Sequence, residues 1–153
     1  MHGKDREQRE GGREQRERDT RAAADRRDYE DREAREHQRA LREVESAPLV
    51  DRKEACAQFH EAMRDRPEIV GERVGWLLDG NYGYGSMRAA ERVLALGPRA
   101  NKVAQLTHLI GALEWRCPAR MAISAWKKLT AEQRRALDAA VARAMREHAE
   151  GHP

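Results

Sequence analysis

The sequence predicts an all-α protein, a small bundle of five to six short helices preceded by a charged N-terminal extension that is disordered or partly helical. Three observations predict this fold class. Apolar residues recur every three to four positions through the C-terminal two thirds of the chain. No segment alternates with period two for long enough to form a strand, and nearly all large apolar residues follow Pro48. We therefore divide the chain into an extension, residues 1–46, and a helical domain, residues 47–150.

The extension is a low-complexity segment rich in Arg, Glu, Asp and Gln. Its 13 basic and 14 acidic residues leave a net charge of −1, whereas the rest of the chain carries +4. A balanced segment differs from the one-signed basic arms that neutralise phosphates. Because Gly11 and Gly12 interrupt a helix, we expect disorder up to Gly12 and a solvated, partly helical stalk over residues 13–45.

Helix caps set the predicted boundaries of the domain. Asp51 with Glu54, and Asp65 with Glu68, have the spacing of capping boxes and predict the starts of the first two helices. Three glycines in the next stretch predict a loop over residues 79–85. The remaining helices are predicted at residues 86–96, at 102–115 after the cap Asn101, after Pro118, and after Thr130 with Gln133.

Composition excludes several function classes. No apolar run approaches the roughly 20 residues of a membrane span, and no apolar signal segment opens the chain. Cys56 and Cys117 are too few for a disulfide framework, so we expect reduced thiols and a cytoplasmic setting. A zinc site joining them to His60 and His108, and a cysteine nucleophile, are the alternatives. Neither has a recognisable motif, so the sequence predicts no catalytic set, no metal and no cofactor.

The segment Asp79–Gly85 is the most unusual local sequence, since two tyrosines alternate with glycines. Aromatic rings on a loop supply contact area at low entropic cost, so Asn81, Tyr82 and Tyr84 are the predicted partner-binding residues. Stacking on unpaired bases is a second interpretation. The structural alternative is a tight turn whose tyrosines fold back onto the bundle.

Basic residues also cluster within the domain, where they predict a surface for phosphate backbones. Acidic residues are interleaved with them, so a solvated helical face is the alternative. The candidate nucleic-acid-binding residues are Arg88, Arg92, Lys127, Lys128, Arg134 and Arg135.

Three segments carry a resemblance: Trp76–Gly83, Leu113–Pro118 and Ala125–Thr130. Over about residues 48–147, the chain resembles small uncharacterised proteins of phages and integrated mobile elements of Gram-negative bacteria. The resemblance implies a bacterial cytoplasmic setting and an accessory role, and it implies no activity or ligand.

These observations together predict a non-enzymatic protein-interaction module that acts on a host or phage protein. The alternative is a nucleic-acid-binding accessory protein that uses the basic patches of the helical domain. Neither interpretation gives the chain an association with membranes.

Overall fold

The computed structural model describes the backbone of residues 2–151 and the side chains of residues 10–151. Within that part the chain is helical and has no strand, which confirms the all-α class. The predicted number of five to six helices is wrong, because the extension adds one and brings the bundle to seven. The helices are α1 (His2–Ser46), α2 (Leu49–Asp65), α3 (Pro67–Leu78), α4 (Tyr84–Leu94), α5 (Lys102–Trp115), α6 (Ala119–Lys127) and α7 (Ala131–Gly151).

Helix α1 runs without a break through Gly11 and Gly12, so the expectation of disorder up to Gly12 is wrong. A glycine costs an exposed helix about 1 kcal/mol, whereas the Glu, Arg, Gln and Ala around it are good helix formers. Side chains one turn apart add support, since Gln15 Nε2 donates to Asp19 Oδ1 at 2.9 Å. At 1.5 Å per residue the helix is about 67 Å long.

The C-terminal part of α1 packs against α4 and α5. The crossing with α4 occurs at Gly85, where an added Cβ would lie 2.2 Å from the carbonyl oxygen of Glu33. Beside it, the buried His37 Nδ1 and Ser86 Oγ are 2.9 Å apart. Val44, near the end of α1, is 5% exposed. The extension is therefore a single helix whose last turns belong to the packed bundle.

The core lies among α2, α3, α5 and α7, with α6 packed on α2 and α5. Burial of each large apolar side chain contributes about 1.5–3 kcal/mol. Helix α5 crosses α2 closely at Gly111, because glycine has no Cβ. A Cβ added there would lie 2.6 Å from the ring of Phe59. The largest fully buried apolar side chains include Phe59, Met63, Leu77, Leu78, Leu106, Ile110 and Leu137.

Cys56 and Cys117 form a disulfide bond, so the expectation of two reduced thiols is wrong for this structure. Both cysteines are buried, and the bond ties α2 to the connection between α5 and α6. The expectation of reduced thiols was based on the presence of only two cysteines. Two cysteines are enough for a single bridge, even between residues 61 positions apart. The bonded sulfurs are not available as thiolate ligands, and the described residues contain no cluster of three metal-ligating side chains.

Two predicted capping boxes are wrong and one is confirmed. Helix α2 begins before Asp51, with no side-chain cap, and Asp65 binds Arg64 instead of the start of α3. At α7 the box is reciprocal: Thr130 N donates to Gln133 Oε1 at 2.9 Å, and Gln133 N donates to Thr130 Oγ1 at 3.1 Å. In the part of the chain that the structure describes, no helix is both long and apolar enough to cross a membrane.

Substitution of Gly85 tests the packing of α1. Gly85→Ala is expected to lower the free energy of unfolding by about 1–3 kcal/mol, because the new methyl group meets backbone that cannot turn aside. Gly75→Ala is the matched control, since it also lies within a helix and its Cβ would meet nothing within 4 Å. Urea denaturation measures both variants. Equal stability of the two would contradict the close approach.

Acidification is expected to weaken the contact between α1 and α4. Burial, followed by the nearby charge of Arg92, lowers the pKa of His37 below 6.5. The folded state therefore favours neutral His37, and its contribution to stability is present above about pH 6.5 and is lost as pH falls through the folded pKa. The measurement is the free energy of unfolding at about pH 7.5 and pH 5. His37→Asn should show a smaller loss, although the pKa values of His60 and His108 are also lowered.

Candidate partner-binding site

The loop between α3 and α4 is shorter than predicted, because Tyr84 and Gly85 already belong to α4. Gly80 and Gly83 have φ angles of 92° and 95°, a region that favours glycine, and they make the turn possible. Asn81 is exposed, and both its backbone N–H and its side-chain amide donate to the carbonyl oxygen of Trp76, at 2.9 and 3.2 Å. Asn81 thus fastens the loop to the last turn of α3.

Both loop tyrosines lie against the bundle. Tyr82 packs on the core and its hydroxyl donates to the carboxylate of Glu114. Burial raises the pKa of Tyr82, and the hydrogen bond and charge of Glu114 raise it further. Tyr84 Oη donates to Glu30 Oε1 of α1 at 3.2 Å, and its ring centroid is 5.7 Å from that of Tyr29. This is the arrangement of the structural alternative, and a partner contact by Asn81, Tyr82 or Tyr84 stays a prediction.

The Tyr82 contact continues into a polar chain that ends at a tryptophan. The second oxygen of Glu114, Oε1, lies 3.4 Å from Arg73 Nε. The guanidinium carbon of Arg73 is 3.8 Å from the ring centroid of Trp76, the geometry of a cation–π interaction. Trp76 is nevertheless 42% exposed, whereas Trp115 and Trp126 are partly buried against the core. The loop and α5 therefore hold in place a tryptophan that faces solvent.

Trp76 stands in the wall of a groove of about 530 Å³ between α3 and α7, which we call the Trp76 groove. The two helices run in the same direction and touch at Gly71, where a Cβ would lie 2.7 Å from the carbonyl oxygen of Ala140. One turn later, Gly75 has nothing within 4 Å of its Cβ position, so the space between the helices opens there. Small residues thus give the groove a backbone-lined floor beside Trp76.

The lining of the Trp76 groove carries a negative excess. Four carboxylates line it, against one guanidinium, Arg143, and one imidazole, His148. Arg143 Nε lies 2.9 Å from one of these carboxylates, and His148 Nδ1 lies 3.6 Å from another. The four acidic residues are Glu68, Glu72, Asp79 and Glu147.

In the sequence, Trp76, Trp115 and Trp126 fall at or near apolar faces, which favours core positions for all three, so sequence reasoning missed this site. The apolar stripe of α3 contains Val70, Val74 and Leu77, and Trp76 does not fall on it. The available signal was the polar stripe at helical spacing, in which Glu68, Glu72, Trp76 and Asp79 share one face. A tryptophan within an acidic stripe indicates an exposed ring.

The six predicted nucleic-acid-binding residues lie on two parts of the fold. Arg88 and Arg92 belong to α4, which packs chiefly on α1, α3 and α5. Arg88 is paired with Glu91 at 2.8 Å, and the guanidinium carbon of Arg134 lies 5.3 Å from the centroid of Trp126. The other four residues surround the junction of α6 and α7, and helix packing does not join them to the α4 pair.

Comparison with protein-family models, curated proteins and solved structures finds no match to the chain.

Removal of one hydroxyl tests how firmly the loop is held. Tyr82→Phe is expected to lower the free energy of unfolding by about 0.5–1.5 kcal/mol, because Glu114 loses a donor and the ring remains. Tyr84→Phe is the matched control, since Tyr84 lies outside the core cluster and its hydroxyl bond to Glu30, at 3.2 Å, should contribute less. Thermal and urea unfolding measure the difference. A larger loss for Tyr84→Phe would contradict the assignment of Tyr82 as the loop's main anchor.

Proposed function

We propose that the chain is a non-enzymatic protein-interaction module that binds a basic peptide segment of a partner protein in the Trp76 groove. The cytoplasmic phage or mobile-element role that the resemblance implies is the biological setting of this proposal, with a host or phage protein as the partner. The exposed Trp76 beside an acidic lining is the observation that carries the proposal.

Trp76 has the properties of a binding hot spot. A tryptophan supplies a large apolar surface, and hot spots are enriched in this residue. Its position is fixed before binding, since Arg73 covers one part of the ring and Asn81 holds the backbone of the same residue. Preorganisation lowers the entropy cost of association. The ring is therefore ready to pack against an incoming side chain.

The charge of the groove lining favours one class of peptide. Two of the four carboxylates of the groove, Glu68 and Glu72, lie on α3 within one turn, and Glu147 faces them from α7. A segment with Arg or Lys side chains matches this charge, and an arginine also stacks favourably on tryptophan. An acidic segment would meet net repulsion, because the four carboxylates outnumber Arg143 and His148 in the lining, although Glu72 also pairs with Arg73 at 3.3 Å. Charge complementarity thus favours a basic peptide.

The dimensions of the groove fit a short segment. From Glu68 to Asp79, the residue that caps α3, this wall covers a rise of about 16 Å. That length accommodates about five residues of extended chain or about three helical turns. The glycines and alanines of the floor let the backbone of a peptide approach closely, as in helix-in-groove recognition.

Binding of defined peptides tests the proposal. The probes are fluorescein-labelled hexa-arginine and hexa-glutamate, measured by fluorescence anisotropy at low and moderate salt. Hexa-arginine should bind and hexa-glutamate should not. Trp76→Ala should weaken hexa-arginine binding by about tenfold or more, and Glu72→Gln/Glu147→Gln should weaken it and flatten its salt dependence.

Two control variants separate the groove from the general surface. Leu96→Ala removes an apolar side chain of similar exposure, 40%, outside the groove. Glu54→Gln/Glu132→Gln removes two exposed carboxylates that do not line it. Both controls should keep wild-type affinity for hexa-arginine. Equal weakening by the controls and the groove variants would overturn the proposal.

Nucleic-acid binding remains the alternative, and the exposure of Lys127, Lys128 and Arg135 favours it. Labelled single-stranded and double-stranded DNA serve as additional probes in the same assay. Binding of either DNA that Lys127→Glu/Lys128→Glu abolishes, together with no binding of hexa-arginine, would replace the proposed function with this alternative.

A further inference from the structure

A second groove lies between α2 and α6, with a volume of about 640 Å³, and we call it the Cys56 groove. It is separate from the Trp76 groove, with which it shares no lining residue. Its apolar surface comes from Cys56, Ala57, Met121 and Ala125. One of the two cysteines of the disulfide, Cys56, therefore forms part of the groove wall.

The two sulfurs of the disulfide differ in access. Cys56 lines the groove and is 7% exposed, whereas Cys117 is 0% exposed and does not line it. Thiol–disulfide exchange requires a thiolate to reach one sulfur while the other departs. The groove therefore reaches Cys56 and does not reach Cys117. The shape of the groove therefore favours attack at Cys56 over attack at Cys117.

The charges around Cys56 favour an anionic attacker. Lys53 and Lys128 line the groove and are exposed, and His60 lies one turn after Cys56 on α2. Arg64 also lines the groove, but Asp65 binds it at 2.7 and 2.8 Å, and Glu61 adds one negative charge. Burial lowers the pKa of His60, and the positive charges of Arg64 and Lys128 lower it further. The second effect is expected where the electrostatic potential is positive. The lysines therefore provide most of the attraction.

We propose that the Cys56 groove binds anionic low-molecular-weight thiols and directs their exchange with the disulfide at Cys56. The thiolate of the ligand forms a bond to Cys56 Sγ as the bond between Cys56 and Cys117 breaks. The electron pair leaves on Cys117 Sγ, which takes up a proton from solvent. A second thiolate then attacks the ligand sulfur, releasing the ligand disulfide and the Cys56 thiolate, so that two thiols supply the two electrons.

The exchange changes the restraint on α2. While the disulfide is intact, α2 is covalently joined to the segment between α5 and α6, through two residues that are 61 positions apart in the sequence. Opening of the bond removes that link and leaves the core packing of Phe59 and Met63 to hold α2. The modified form carries the ligand on Cys56, in the groove that bound it.

The test compares two thiols on the oxidised full-length chain. Glutathione is the anionic probe and cysteamine the cationic one, both supplied at equal thiolate concentration. Products are trapped by acid and alkylation, and mass spectrometry of proteolytic fragments locates the mixed disulfide. Glutathione should react about tenfold faster than cysteamine, with its adduct on Cys56.

Charge reversal supplies the decisive comparison. Lys53→Glu/Lys128→Glu should remove or invert the preference for glutathione, because the two side chains that attract the anion then repel it. Lys127→Glu is the matched control, since Lys127 is the exposed neighbour of Lys128 and does not line the groove. This control should keep the wild-type preference.

Three results would overturn the proposal: an unchanged rate ratio in Lys53→Glu/Lys128→Glu, an adduct on Cys117, or a reduction rate that is independent of thiol concentration. The last result would mean that unfolding precedes exchange. A rate that rises linearly with glutathione concentration, with circular dichroism unchanged at early times, supports attack on the folded chain.

Discussion

Three helix crossings depend on the absence of a side chain. Gly71 meets the backbone of Ala140 between α3 and α7, Gly85 meets the backbone of Glu33 between α4 and α1, and Gly111 meets the ring of Phe59 between α5 and α2. At each position a Cβ would lie within 3 Å of another atom. Helices that approach this closely have few alternative registers, because sliding by one residue replaces the glycine with a larger residue. The contact at Gly71 also fixes where the Trp76 groove begins and which side chains line it.

The Trp76 groove follows directly from the crossing at Gly71. Since α3 and α7 touch there and run in the same direction, residues one and two turns later on both helices line the same groove, and Asp79 meets His148 across it at 3.6 Å. The loop after α3 then acts on the same end of the groove. Asn81 binds the Trp76 carbonyl, and Tyr82 joins the loop to Glu114, whose other oxygen faces Arg73. Asn81 and Tyr82, two of the three residues predicted to touch a partner, thus help to position a tryptophan that the sequence pattern favoured as a core residue.

Periodicity and one of the three capping boxes could be predicted from the sequence because their physics is local. The Thr130 and Gln133 box and the apolar stripes depend on residues within two turns, and the helical class followed from them. The disulfide, the continuity of α1 and the exposure of Trp76 depend on distant residues. Gly85 resembles a loop glycine until Glu33 of α1 is known to cross it, and Cys56 resembles a core cysteine until Cys117 is known to face it. Neither the approach of Glu33 to Gly85 nor that of Cys117 to Cys56 can be read from composition.

The net charge of the chain, like its composition, does not predict how charged residues are arranged on the folded surface. The net charge of +3 for the chain indicates little preference for any partner. Folding places the acidic residues Glu68, Glu72, Asp79 and Glu147 along one groove, and Lys53 and Lys128 along another. Because the charges of one sign lie close together along each groove, they act together on a ligand. The pattern that matters for recognition is therefore created by helix packing, and a charge-balanced sequence yields two surfaces of opposite sign.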